Sequence, residues 1–261
     1  MRLVNGKLVP VEAGPDTSAP EAPAATAVTP PAMPTSEATP VAPRVSSTGI
    51  SLSTATGQGR DAYIQGSTDP KQSINEQSLW IKAGLNAKVA TARKAYIRFD
   101  LAGLNLSKLT DAFLTLTAAQ SSKNKTDGRY ELLLWGLKDE AAAMHWAENA
   151  SQVDAPLLDW FNAPGNNPDS AGGMSPNAML LATIHVKANY NPGETIAFAN
   201  AHSPQPNALR DYIQVRAGKT ATFIITANDA SEQKAGWKFA SKENGNLAPP
   251  TLFLRGAVTQ P

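Results

Sequence analysis

The sequence predicts an all-β protein: a jelly-roll-like antiparallel β-sandwich with one short helix, preceded by an extended Pro-rich N-terminal arm. Three observations carry this. From Asp61 onward, short runs rich in β-branched and aromatic residues alternate apolar with polar and are separated by turn residues. Only one stretch, 206–216, has clear helical spacing, with Leu209, Tyr212, Ile213 and Arg216 near one face and Gly218 after it. Composition also shifts sharply near residue 60. Nine of the 20 prolines fall in the first 43 residues, and no Trp, Tyr or Phe precedes Tyr63.

Residues 1–10 read as a β-hairpin anchor. Leu3-Val4 and Lys7-Leu8-Val9 flank Asn5-Gly6, a two-residue hairpin signal. An isolated hairpin is marginal in water, so a peg that docks on a protein partner is one reading and a frayed terminus the other. Residues 11–60 form an arm or linker of Pro, Ala, Thr, Ser, Glu and Val. Such a chain buries too little apolar surface to offset its ordering entropy. In the polyproline II form, at ~3.1 Å per residue, it spans on the order of 100 Å or more.

The sandwich is expected over 61–256, with 257–261 as a tail. Its candidate strands are 61–65, 78–83, 93–100, 110–118, 129–137, 179–187, 194–199, 220–227, 236–241 and 250–255. Strands in series, without alternating helices, indicate a sandwich and not a βαβ fold. Residues 138–150 suggest a short Ala-rich helical turn.

The bulk numbers exclude several function classes. A formal net charge of +1 over 261 residues gives nucleic-acid binding no global support. Lys123, Lys125 and Arg129 read as a solvated loop. No cysteines means no disulfides, thiolate nucleophiles or Cys-ligated metals. No apolar run reaches the ~18 residues of a membrane helix, so membrane insertion is not expected. Met1-Arg2-Leu3-Val4-Asn5-Gly6-Lys7 shows no signal peptide.

Period-two alternation assigns sides to the strands. Leu79, Ile81 and Ala83 share one face, as do Ala95, Ile97 and Phe99, and Leu114 and Leu116. The opposite sides then carry Trp80, Tyr96 and Phe113, one large aromatic per strand, beside Lys82 and Arg98. An aromatic row with cations suits a sugar ring stacked on its apolar face and a carboxylate or sulfate on the cations. The competing reading is that a loop or helix covers this side. Strand 129–137 favours cover: Tyr130, Leu132 and Leu134 face one way, Leu133 and Trp135 the other.

Several motifs resemble a known family. Asp61-Ala62-Tyr63-Ile64, Ser78-Leu79-Trp80-Ile81-Lys82 and Arg93-Lys94-Ala95-Tyr96-Ile97-Arg98-Phe99-Asp100-Leu101 resemble the opening strands of DNRLRE-type domains, which overlap carbohydrate-binding module family 96. Trp146-Ala147-Glu148 and Trp160-Phe161-Asn162-Ala163-Pro164 are similar to that family's W-x-E and TWNNAP motifs. Phe239-Ala240-Ser241-Lys242-Glu243 with Pro249-Pro250-Thr251-Leu252 is similar to its F-x-S-[RK]-E…P-x-L close. Phe161 stands where Asn is usual, and 165–178 is a Gly/Asn/Pro-rich insertion. The resemblance implies a sandwich appended to secreted polysaccharide-acting or surface proteins, some of which bind acidic glycans. It transfers no ligand residues, because the motifs read as fold determinants: a Trp corner, and a core strand leaving the sheet.

Catalytic signatures are absent from the sequence. His145, His185 and His202 are far apart in sequence, and no H-E-x-x-H, G-x-S-x-G or P-loop occurs. His145 with Glu148 reads as a surface turn, and Asp154 with Asp159 as loop acids. A structural calcium is conceivable at Asp61 with Glu243 or Asp229, since such sandwiches often carry one. Two functions are expected from this. One is a non-catalytic carbohydrate-binding or adhesion module for a polysaccharide, acidic in one version. The other is a structural decoration or attachment protein of a virion or other large assembly, anchored by residues 1–60 through Leu3, Val4, Asn5, Gly6, Leu8 and Val9. Both place it outside the cell or on a virion surface.

Overall fold

In a computed structural model, the described residues are 49–66, 76–84, 88–122, 124, 130–138, 146–149, 151–152, 155–228 and 235–256, with backbone alone for 2–4, 7–9 and 258–259. The chain forms two compact units, 1–45 and 46–261. In the first, β1 (Arg2–Val4) and β2 (Lys7–Val9) pair antiparallel with Leu3 opposite Leu8. This is the hairpin that Asn5-Gly6 predicts. The rest of the arm lies outside the described residues.

The second unit is an all-β sandwich with one short α-helix among its described residues. Its larger sheet holds β4 (Arg60–Gln65), β5 (Ser78–Lys82), β6 (Arg93–Asp100), β9 (Tyr130–Leu137), β10 (Ala178–Val186), β12 (Thr220–Ala227) and β13 (Gly236–Ala240). The order is β10-β9-β12-β6-β5-β13, with β4 also paired to β6. The smaller sheet is β11-β8-β14-β3, from β3 (Gly49–Ser53), β8 (Asp111–Thr117), β11 (Thr195–Ala199) and β14 (Thr251–Arg255). All the pairings within these sheets are antiparallel. Two short strands, β7 (Leu104–Asn105) and β15 (Val258–Thr259), make a separate pair.

Every predicted strand of the sandwich is present, with ends shifted by a residue at most. The domain boundary is the correction. The unit starts before β3, so Gly49–Ser53 belongs to the sandwich and not to the arm. Its sequence, Gly-Ile-Ser-Leu-Ser, alternates, but it is short and lacks the aromatic residues found in most of the other sandwich strands. It forms because the exposed edge of β14 offers a complete ladder, Leu252 opposite Leu52 and Leu254 opposite Ile50.

The core lies between the sheets. Leu79, Ile81, Ala95, Ile97, Phe99, Leu114, Leu116, Leu132 and Leu134 are all buried in one cluster, as the alternation predicts. The helix, α1 (Ala208–Gln214), packs on β10 and β8 and buries Leu209, Tyr212 and Ile213. A Cβ on Gly136 would lie 2.4 Å from the Tyr212 ring, so glycine there admits the ring. Tyr212 then donates its hydroxyl to the Thr222 carbonyl at 2.6 Å. Arg216 stacks over the same ring at 3.7 Å and donates to the Tyr212 carbonyl.

β12 is buried along its whole length, on both faces. The outward face of the larger sheet therefore has a cover. A second cluster holds Ala62, Ile64, Tyr96 and Ile224 from the sheet against Trp146, Leu158, Trp160, Ala163 and Ala171 from the segment 146–176, whose described residues are largely irregular. That segment is the third layer.

Candidate functional site

The cover is tied down by charges that are themselves buried. Asp61, Lys94, Arg98 and Glu148 are each at most 2 % exposed. Glu148 Oε2 accepts the Asp61 backbone N–H at 2.9 Å, and Oε1 accepts Gln152 Nε2 and the Lys242 ammonium. Asp61 Oδ2 accepts the Thr54 hydroxyl at 2.5 Å and the Lys242 N–H at 3.0 Å. Arg60 donates to the Trp146 carbonyl. The Arg98 guanidinium lies 5.5 Å from the Trp146 ring and its Nε donates to the Gln58 carbonyl at 2.9 Å. Asp61, Glu148 and Lys242 come from three motifs separated by up to 181 residues. Each motif supplies one part of a buried network, and a part left alone would be an unpaired buried polar or charged group.

Lys94 holds the other end of the cover. Its ammonium donates to Asn166 Oδ1 at 2.7 Å, the Gly173 carbonyl at 2.7 Å and the Ser170 carbonyl at 3.0 Å. It also sits 4.6 Å from the Trp160 ring. An ammonium has three N–H groups, and all three have acceptors. Trp160 Nε1 donates to the Pro168 carbonyl, and Asn162 bridges Asp159 N–H and the Leu157 carbonyl. The Trp160–Pro164 motif is thus a corner, as expected, and the 165–178 insertion is folded around one lysine.

This cover divides the expected aromatic row. Tyr96 is fully buried, edge-on to Trp146 at 6.2 Å, and its hydroxyl donates to the Pro164 carbonyl. Burial also pushes its phenol well above the ordinary range. Arg98 is 1 % exposed. Phe113 stands on the outer face of the other sheet, beside Phe253 at 6.1 Å and Arg255. Trp80, Lys82, Tyr96, Arg98 and Phe113 therefore do not form one platform. There are two causes: Trp146 and Trp160 bury the middle of the larger sheet, and β8 carries Phe113 into the smaller sheet.

Trp80 and Lys82 remain at the surface, and pairing brings them new neighbours. Lys238 is directly opposite Trp80 on β13, and Arg93 is opposite Lys82. The Arg93 guanidinium stacks 3.8 Å from the Trp80 ring centre, with Lys238 at 4.5 Å and Lys82 at 5.7 Å. Burial lowers the pKa of Arg93, an effect opposed by Tyr63 and Glu76. Trp80, Lys238 and Gly236 line a hollow of about 140 Å³ whose other wall is Gln120, Ser121 and Ser122. Arg93, Lys238 and the Gln120–Ser122 wall are additions that sequence reasoning missed. No local signal links β5 to β13, which lie more than 150 positions apart.

The remaining candidates have structural duties. The Asp61 carboxylate oxygens are taken by the Thr54 hydroxyl and the Lys242 backbone N–H, so Asp61 is spent on protein donors and does not fit a calcium ion with Glu243. Among the described residues, no group of three or more His, Cys, Asp or Glu side chains is placed to hold a metal. Asp159 Oδ1 accepts the N–H groups of Phe161 and Asn162, capping the Trp160 corner. His145, Asp154, Asp229 and the side chains of the hairpin anchor lie outside the described residues. His185 and His202, distant in sequence, line one cleft of about 410 Å³.

No family model matches the chain, and no curated protein sequence matches it. The motif resemblance to DNRLRE-type domains thus has no family-model match behind it. Among solved structures, the chain is similar to the N-terminal endo-1,4-β-D-xylanase 10B of Clostridium thermocellum, in a form comprising its CBM22-1 and GH10 modules complexed with xylohexaose. Identity is 10%, the TM-score is 0.26, and the match covers 78% of this chain and 27% of that one. The chain thus corresponds to about a quarter of that structure's length.

Proposed function

We propose that this protein is a non-catalytic carbohydrate-binding module for an acidic polysaccharide, of the DNRLRE kind, displayed outside the cell or on a particle surface. The observation that carries this is the Trp80 cluster. A half-buried indole is ringed by Arg93, Lys238 and Lys82, beside a hollow of amide and hydroxyl groups. The cations supply partners for a carboxylate or sulfate, and Gln120, Ser121 and Ser122 offer hydrogen bonds to hydroxyls. The indole edge gives apolar contact area.

In titrations against oligomannuronate, oligogalacturonate and heparin fragments, one acidic glycan is expected to bind, with an affinity that falls as salt rises. Trp80→Ala with Lys238→Ala is expected to weaken binding about thirtyfold, as removal of a central aromatic anchor does. Binding that survives this double change unaltered removes the site.

The formed N-terminal hairpin supports a second reading, a decoration or attachment protein that docks through residues 1–60. Deleting residues 1–45 is expected to abolish co-assembly with its particle while the sandwich melts unchanged. Continued assembly of the shortened chain overturns it.

A further inference from the structure

The geometry points to a second binding site, for a neutral polysaccharide chain, in the cleft between two sheet edges that pair with no further strand among the described residues. β10 ends the larger sheet and β11 ends the smaller one. Between them lies the cleft of about 410 Å³, walled by Thr183, His185 and Lys187 on one side and Glu194, Thr195 and His202 on the other. Ile184, Ile196 and Ala197 give it apolar surface. Strand residues 183–185 on one side and 195–197 on the other run for about 10 Å, enough for a short run of sugar rings.

Its polar groups are already set. His202 Nδ1 accepts the Ala199 N–H at 3.2 Å, which in the neutral ring leaves Nε2–H as a donor on an exposed side chain. His185 Nδ1 lies 3.5 Å from Glu131. Lys187 and Glu194 pair at 3.2 Å. The Glu194 carboxyl is held below its ordinary range by the Asn191 N–H and by Lys187. The charges of Lys187 and Glu194 thus cancel locally, leaving imidazole donors and acceptors and the hydroxyls of Thr183 and Thr195. That is the chemistry of an uncharged polyol. An anionic chain finds no net positive charge here, unlike at Trp80.

Free sheet edges also invite an added peptide strand. Three features oppose that occupant. The Lys187 N–H, just past β10, is taken by the Tyr190 hydroxyl at 3.1 Å. The Ala199 N–H, at the end of β11, is taken by His202. A register shift between Leu180 and Ala182 breaks the regularity of β10. Recognition therefore falls to side chains and not to a backbone ladder.

The test is amide-shift mapping of the full chain titrated with cellohexaose, with mannohexaose and with an extended Val/Thr-rich peptide. One neutral hexaose is expected to shift residues 183–187 and 194–202 without shifting Trp80. His202→Ala with Thr195→Ala removes two hydrogen-bonding groups and is expected to weaken this binding about tenfold. Both positions are exposed, and an unchanged melting temperature checks that the fold is retained. Acidic-glycan binding at Trp80 is expected to be unaffected, so the two sites fail separately. The proposal is overturned if neither neutral hexaose shifts the cleft at millimolar concentration, if the shifts map to Trp80, or if the peptide binds there instead.

Discussion

Lys242→Met is expected to cost about 3–5 kcal/mol, the range for removing one partner of a buried ion pair, and to lower Tm by about 10 °C. Glu148 is 2 % exposed, and the Lys242 ammonium pairs with it. Methionine keeps the length of the stem, so the loss reports the charge and not a cavity. Chemical denaturation at neutral pH measures it. A loss below about 1 kcal/mol would mean the pair behaves like a surface salt bridge.

The same network sets a pH dependence. Burial pushes the Asp61 carboxyl from 3.8 up to about 7, helped by the charges of Glu243 and Glu148 and opposed by the Thr54 hydroxyl and the Lys242 N–H. The folded state thus holds this proton more tightly than the unfolded chain. Its contribution to stability is full below about pH 4, declines from pH 4 to 7 and is gone above. Asp61→Asn mimics the protonated form, so its stability is expected to vary less across that window. Parallel curves for the two proteins would show that other groups set the slope.

Lys94→Met is the second large effect. Three acceptors, Asn166 Oδ1 and the Ser170 and Gly173 carbonyls, lose their donor together. Bonds to a charged group contribute about 1.5–3 kcal/mol each, and buried acceptors left unmade carry a penalty, so a loss of about 3 kcal/mol or more is expected. The damage should be local. Hydrogen exchange is expected to quicken in 163–178, for example at the Asn166 and Ser175 amides, which bond within the cover. The β12 ladder should keep its protection. Uniform loss across both would show that Lys94 supports the whole sandwich and not this layer.

How much of this was readable beforehand differs by element. Alternation in 93–100 and 110–118 placed Ala95, Ile97, Phe99, Leu114 and Leu116 correctly in the core, because side-chain period and burial are both local to a strand. The helix was readable from Leu209, Tyr212 and Ile213 for the same reason. β3 was missed because Ile50 and Leu52 are a weak signal alone, and its partner β14 lies some two hundred residues away. The site was half readable. Trp80 and Lys82 stayed at the surface, but Tyr96 and Arg98 sit on the same kind of polar-side position and are buried.

Sequence by itself determined the strands, their inward faces, the hairpin signal and the order of the motifs, since each depends on neighbours within a few residues. Only the tertiary structure decided which outward faces stay open. That choice rests on long-range partners: the 146–176 segment over Tyr96, Lys94 within its carbonyls, Lys242 on Glu148, and Lys238 beside Trp80. A polar-side aromatic looks the same in sequence whether water or a tryptophan covers it, because the covering group comes from a distant part of the chain.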